Sequence, residues 1–204
     1  LDARYAEWLS FARTWAEIKV LSAEMNSAVR SAGADRLLDI QGQADTAFAA
    51  WLHQHFGALY SLPASPPVMV HHIARHLAGL RESDGVPKLA LVVVDGMALD
   101  QWVLIRRELT RQRPKWRFDE GSAFAWVPTI TSVSRQAIFS GKAPLYFPSS
   151  IYGTAKEENL WEQFWADHGL PIQEVAYLKG LGEPATLERV EETCSIPKLK
   201  LLGA

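Results

Sequence analysis

Two stretches of this sequence carry residue types and spacings that could do chemistry. The first is "LVVVDG", in which Asp95 closes an apolar β-branched run and Gly96 follows it. A carboxylate at the carboxyl end of a buried strand sits where open α/β sheets bind ligands. It can hold a cation there, while the glycine lets backbone approach closely. The second is "VPTITSVSRQAIFSG", a Pro-led turn with hydroxyls at Thr129, Thr131, Ser132 and Ser134, running into a short apolar helix that stops at Gly141. Capping a helix needs one hydroxyl. Thr131 or Ser132 is expected at the N-cap, where free N–H groups and the helix dipole favour an anion. A hydroxyl facing a bound phosphate, with a cation nearby to lower its pKa, could act as a nucleophile. Each stretch also has a plain reading, as a helix cap without chemistry.

These residues need a scaffold, and the rest of the chain indicates its class. Strand and helix patterns alternate from "KLALVVVD" (88–95), read as a strand covered on both faces. A helix follows over 99–111, then a strand with an irregular end over 116–127, and the hydroxyl-rich helix to Gly141. "KEENLWEQFWADHG" (156–169) reads as a helix capped by Gly169, "IQEVAYL" (172–178) as a strand and "PATLERVEETC" (184–194) as a helix. The fold class expected is therefore α/β, a mostly parallel sheet flanked by helices.

Residues 1–60 are nearly free of Pro and Gly and form a helical region. One stripe runs through Tyr5, Trp8, Leu9, Ala12, Trp15 and Ala16, and a second helix is expected over 35–56. "SLPASPP" (61–67) is a linker by composition, and a helix over 68–80 begins the α/β part, 68–204.

With 204 residues, 48% hydrophobic and 22% charged, the chain can bury a core. A net charge of −2 gives no general argument for wrapping a polyanion. The single cysteine, Cys194, excludes an internal disulfide and a thiolate metal cluster, which suits a reducing, cytoplasmic setting. No apolar run nears the ~20 residues of a membrane helix. The chain starts without Met and stops at "KLKLLGA", so a segment of a longer protein is expected.

Together, "LVVVDGMALDQW" and "VPTITSVSRQAIFSGKAP" resemble the PglZ family of the alkaline phosphatase superfamily. The P-T-x-T…S-G-x-x-P pattern is also similar to that superfamily's nucleotide pyrophosphatase/phosphodiesterase branch. The later "NLWEQFWADHGLPIQEVAYLKG" resembles PglZ proteins of BREX-type phage-defence systems. The resemblance implies an alkaline-phosphatase-like partial sheet and metal-dependent phosphoester hydrolysis. It implies Asp95 as a metal ligand, Thr131 as nucleophile and metal-bound alkoxide, and Thr129 and Ser134 in support. It also implies two divalent cations, typically zinc, a phosphoester, nucleotide or nucleic-acid substrate, and other defence-system proteins as partners.

Further ligands are hard to find. "ADHG" contains Asp167–His168 but lies at a helix end. The segment alone is therefore expected to hold an incomplete metal site.

Other readings are weaker. Met97 stands where a haloacid-dehalogenase-type phosphatase needs a second aspartate, and "DGMAL" lacks the proline of a receiver domain. His72 and His76 share a helical face without a third ligand. His53 and His55 diverge, and "SGKAP" is no P-loop. The basic "RRELTRQRPKWR" (106–117) reads as a solvated helix end. A scaffold module and a phosphoacceptor at Asp95 are the alternatives from other classes.

Overall fold

A computed structural model describes residues 3–83 and 85–204. The chain forms two compact units. One takes in the chain to Ser61 together with Gly96–Ser122, the other Leu62–Asp95 with Ala123–Ala204.

The first unit is built from three helices, α1 (Tyr5–Glu24), α2 (Ser27–Leu59) and α4 (Leu99–Gln112). Glu7 accepts a hydrogen bond from the Arg4 N–H, and the Asn26 side chain accepts one from the Val29 N–H, so both α1 and α2 start with a satisfied donor. Helix α2 begins eight residues before the expected 35, because Gly33 lies in an Ala-rich run and one glycine costs a helix only ~1 kcal/mol. Ala16 and Val20 of α1 pack against Val103 of α4. Trp8 meets Phe48 at 5.0 Å, and Trp51 donates its Nε1–H to the Ala3 carbonyl at 2.6 Å. Three cations of the basic run are paired in place. Arg106 pairs with Glu120 at 3.0 Å, Arg107 with Glu24 at 2.8 Å and Arg111 with Glu108 at 2.6 Å.

The second unit is α/β. Strands β1 (Leu89–Leu91), β2 (Val175–Tyr177) and β3 (Leu201–Gly203) form a parallel sheet in the order β1-β3-β2. Leu91, Gly203 and Tyr177 lie level with one another. One face is covered by α3 (Ile73–Ser83), α5 (Thr131–Ser140) and α6 (Glu157–Asp167). There Ala74, Phe139, Trp161, Trp165, Val175 and Leu201 form the core. On the other face, Val190 of α7 (Pro184–Cys194) packs against Leu178, Leu202 and Ala204.

Three expectations are corrected. The run 88–95 pairs as a ladder only over Leu89–Leu91, extended by the Val93 N–H to the Ala204 carbonyl at 2.7 Å. It is covered on one face only: Val92 and Val94 are 55% and 59% exposed, because alternate side chains point to the face that α7 covers at β2 and β3. Residues 116–127 form no strand; Phe124 alone bridges to Met69. Asp119, Glu120 and Gly121 interrupt that stretch, and Glu120 is drawn to Arg106 and Trp102. Finally, the middle strand of the sheet, β3, comes from "LLG" in the closing residues, which carried no expected strand.

Candidate functional site

The extended run from β1 ends at Asp95, whose side chain is exposed, and Gly96 turns the chain with φ 71°. A positive φ suits glycine, which lacks the Cβ that crowds this region.

Helix α5 starts at Thr131 with Ile130 as N-cap and no side-chain capping bond. The expected cap by Thr131 or Ser132 is therefore corrected. Thr131 is the first helical residue, and the Ser132 hydroxyl turns inward to donate to the Ile151 carbonyl at 2.6 Å. Val133 and Ser134 N–H groups both reach the Ile130 carbonyl, whereas those of Thr131 and Ser132 have no hydrogen-bond partner among the described residues. Two free donors and the positive end of the dipole thus open at the start of α5. Thr129 and Thr131 are exposed and Ser134 is half-buried.

What holds this helix in place was not visible in the sequence. Gln136 is fully buried and donates to the carbonyls of Ser132, Ser150 and Gly153 at 2.9–3.0 Å, while its Oε1 accepts from Ser150 at 2.5 Å. Arg135 grips the buried Glu157 carboxylate with two bonds of 2.8 and 2.9 Å. The Tyr177 hydroxyl donates to the same carboxylate at 2.5 Å, and Lys179, also bonded to Thr154, stands 3.8 Å from it. The Glu157 partner raises the Arg135 pKa. Burial, then the neighbouring carboxylate, pushes the Tyr177 phenol well above its usual range. A polar Arg-Gln pair inside an apolar helix was the one available signal, and nothing distinguished Glu157 from its neighbour Glu158.

These bonds also orient the unit. Tyr177 ends β2, so Arg135 and the first residue of α6 lie at the carboxyl edge of the sheet. A Cβ on Gly141 would lie 2.7 Å from Phe164, so α5 and α6 run side by side in the same direction. The start of α5 therefore faces the edge from which Asp95 emerges, since all three strands are parallel. By contrast, Asp167 is ten residues along α6 from Glu157, about 15 Å at 1.5 Å per residue. It lies at the opposite edge, bonded to Gln163, and His168 is bonded to the Phe164 carbonyl. Asp167 and His168 cannot join Asp95 in one ligand set.

His55, His72 and His76 are engaged as well, His55 through the Trp51 carbonyl at 2.8 Å. His72 Nδ1 accepts from the Val68 and Met69 N–H groups at 3.3 and 3.2 Å, and His76 bonds Ser65 at 2.9 Å.

No group of three or more His, Cys, Asp or Glu side chains among the described residues could hold a metal. A carboxylate and a hydroxyl at one edge suit a divalent cation in chemistry, but a zinc site takes three or four protein ligands. The donor type fits and the donor count is incomplete.

The α/β unit thus carries a carboxylate and an uncapped, hydroxyl-bearing helix start at the carboxyl edge of its sheet. Residues 73–192 match the family described as the BREX system PglZ alkaline phosphatase-like domain. The match spans more than half of the chain, and the chain belongs to that family. A comparison with curated proteins finds no match. Among the described residues, no helix is long and apolar enough to cross a membrane.

Proposed function

We propose that the chain forms part of a metal-dependent phosphoester hydrolase of a phage-defence system, with Thr131 as nucleophile. The observation that carries this reading is the start of α5, where an exposed threonine adjoins two free N–H donors at the same sheet edge as Asp95. Family membership supports it. The Thr131 hydroxyl attacks phosphorus in line, forming a phosphothreonine as the ester oxygen leaves, and water then clears it. The free N–H groups hold the non-bridging oxygens and offset their growing charge. Thr129 and Ser134 orient the phosphoryl group from either side of Thr131. The cation, zinc in this reading, would supply Lewis acidity that lowers the hydroxyl pKa, with Asp95 and Thr131 as two ligands of a two-metal site. The setting is cytoplasmic. In this reading the hydrolase domain spans 68–204 in sequence, after the helical region 1–60 and linker 61–67, with Gly96–Ser122 an insertion that packs in the first unit.

A second reading, an interaction module for other defence-system proteins, is favoured by one observation: α2 leaves the apolar Val29 and Leu38 exposed.

Zinc titration of the chain, with Asp95→Ala alongside, separates the two. Binding weakened at least about tenfold by Asp95→Ala is expected. Zinc affinity indifferent to Asp95 would remove that residue from the site. Thr131→Ala should abolish whatever chromogenic phosphodiester turnover the chain has; turnover that survives the substitution sinks the nucleophile assignment.

A further inference from the structure

Helices α1 and α2 meet at two unlike ends. Trp8 packs on Phe48 at 5.0 Å and on Trp51 at 6.2 Å, so aromatic rings close the seam at the start of α1. Near the turn that joins the helices the seam stays open. A groove of about 400 Å³ runs along it, floored by Ile18, Leu21 and Met25 from one side and Val29, Gly33 and Leu37 from the other. Ile18, Leu21, Met25 and Val29 are between 37% and 50% exposed. Helix α4 packs on Ala16 and Val20, which at 100° per residue lie on the opposite face of α1 from Leu21 and Met25. A continuous apolar strip left uncovered in this way marks a surface for a partner.

The lining narrows that partner. Its only polar residues are Ser22, Arg30 and Arg36, with no carboxylate among them. Arg30 has no ion-pair partner among the described residues and is steadied by the Ala23 carbonyl at 3.4 Å. Arg36 holds Asp39 at 3.2 Å, a solvent-exposed pair that leaves most of the guanidinium fork open. An occupant bearing Asp or Glu beside its apolar groups would complement both cations. An extended peptide would fit poorly, because α1 and α2 spend their backbone groups within the helices and the floor is apolar. Its own N–H and C=O groups would be left unpaired. A helix satisfies its backbone internally and needs only one apolar stripe. A second copy is disfavoured by charge: a two-fold contact sets the same face against itself and brings arginine toward arginine.

We infer that the open seam between α1 and α2 is a docking groove for an acidic amphipathic helix of a partner protein. The inference deepens the interaction-module reading by naming its surface and the partner's chemistry. It needs neither Asp95 nor Thr131, so it stands or falls apart from the hydrolase reading.

The test is fluorescence anisotropy on the full chain with synthetic helix-stapled peptides. The groove spans seven residues of α1, about 10 Å, so peptides of about three turns cover it. One carries a leucine stripe flanked by Glu, a second has Lys for every Glu, and a third is the scrambled Glu sequence. The proteins are wild type, Gly33→Trp, Arg30→Glu with Arg36→Glu, and Leu38→Ala. A Cβ on Gly33 would meet nothing within 4 Å, so the tryptophan is expected to fill the groove without unfolding α2, which circular dichroism checks. Wild type should bind the Glu peptide at least about tenfold more tightly than the Lys or scrambled peptide. Gly33→Trp should remove most of that binding. The double charge reversal should switch the preference to the Lys peptide, an outcome that damage to the fold would not produce. Equal affinity of wild type for the Glu, Lys and scrambled peptides overturns the inference. Binding that is lost in Leu38→Ala yet indifferent to Gly33→Trp overturns the groove and leaves the interaction-module reading standing. Dimerisation in analytical ultracentrifugation that Gly33→Trp abolishes, without preference for the Glu peptide, overturns it in favour of a second copy.

Discussion

Helix α2 has 33 residues, of which only Trp51 and Leu59 are buried; α5 has 10 residues, of which six are buried. The long helix stands largely on Ala-rich propensity, a capping asparagine and local pairs such as Arg36–Asp39. The short one falls below the ~12–15 residues at which an isolated helix is even marginal in water. Its helicity comes from what surrounds it: buried Gln136, the Arg135–Glu157 pair and the ring of Phe139 in the core. The candidate chemistry sits on the helix that cannot form alone. That is a physical advantage for a site, because a residue over-determined by buried partners keeps its position better than one on a solvated helix.

The comparison breaks most readily at Glu157. Glu157→Ala strands Arg135, 12% exposed, without its carboxylate, and should destabilise the second unit by about 3 kcal/mol. Hydrogen exchange should speed up in α5 and α6 and stay unchanged in α1 and α2. Replacing the pair together, as Arg135→Met with Glu157→Leu, should recover most of the loss. If the single change leaves α5 as protected as before, the pair does not hold the helix.

Glycine substitutions sharpen the contrast by reversing its sign. Gly141 has φ 61°, and a Cβ there would meet Phe164 at 2.7 Å, so Gly141→Ala should cost about 1–3 kcal/mol. Gly42 lies in the interior of α2, where an added Cβ would meet nothing within 4 Å, and Gly42→Ala should stabilise the first unit by ~0.5–1 kcal/mol. Denaturant midpoints of the two variants should move in opposite directions; a shift the same way removes the distinction.

The smallest effect is on pH. The Tyr177 phenol has its pKa raised in the folded chain, above an unfolded value of ~10. A raised folded value means the stabilisation is fully present below that unfolded value and is lost as pH rises toward the folded one. The second unit should therefore weaken above pH ~10, and Tyr177→Phe should flatten that dependence. Asp100 of the first unit has its carboxyl lowered by Lys19, so its contribution is lost instead as pH falls below the usual carboxylate range. Denaturant midpoints at alkaline pH that match in wild type and Tyr177→Phe would show that the phenol carries no such linkage.

The parts legible in the sequence are those whose information is local. Helix α7 lies over 184–194 as its pattern indicated, and α4 and α5 fall within a residue or two of expectation. Asp95 with Gly96, and Thr131 at a helix start, were readable because each is a residue type at the end of a periodic run. The first helical stripe was legible too, although α1 buries Ala16 and Val20 rather than all of it. Strand β3 was not. Three residues beside two lysines show no periodicity, and they become a strand only because β1 and β2 offer edges on both sides.

Composition, periodicity and turn chemistry by themselves determined that this is an α/β chain with a helical front part, and marked Asp95 and Thr131 as candidates. Tertiary structure decided which carboxylate is buried, which hydroxyl of the four turns inward, and that Asp167–His168 lies at the wrong edge of the sheet. The division follows from range. Periods of two and 3.6 residues report neighbours along the chain. A bond between Arg135 and Glu157, 22 residues apart, exists only once the helices that carry them have packed.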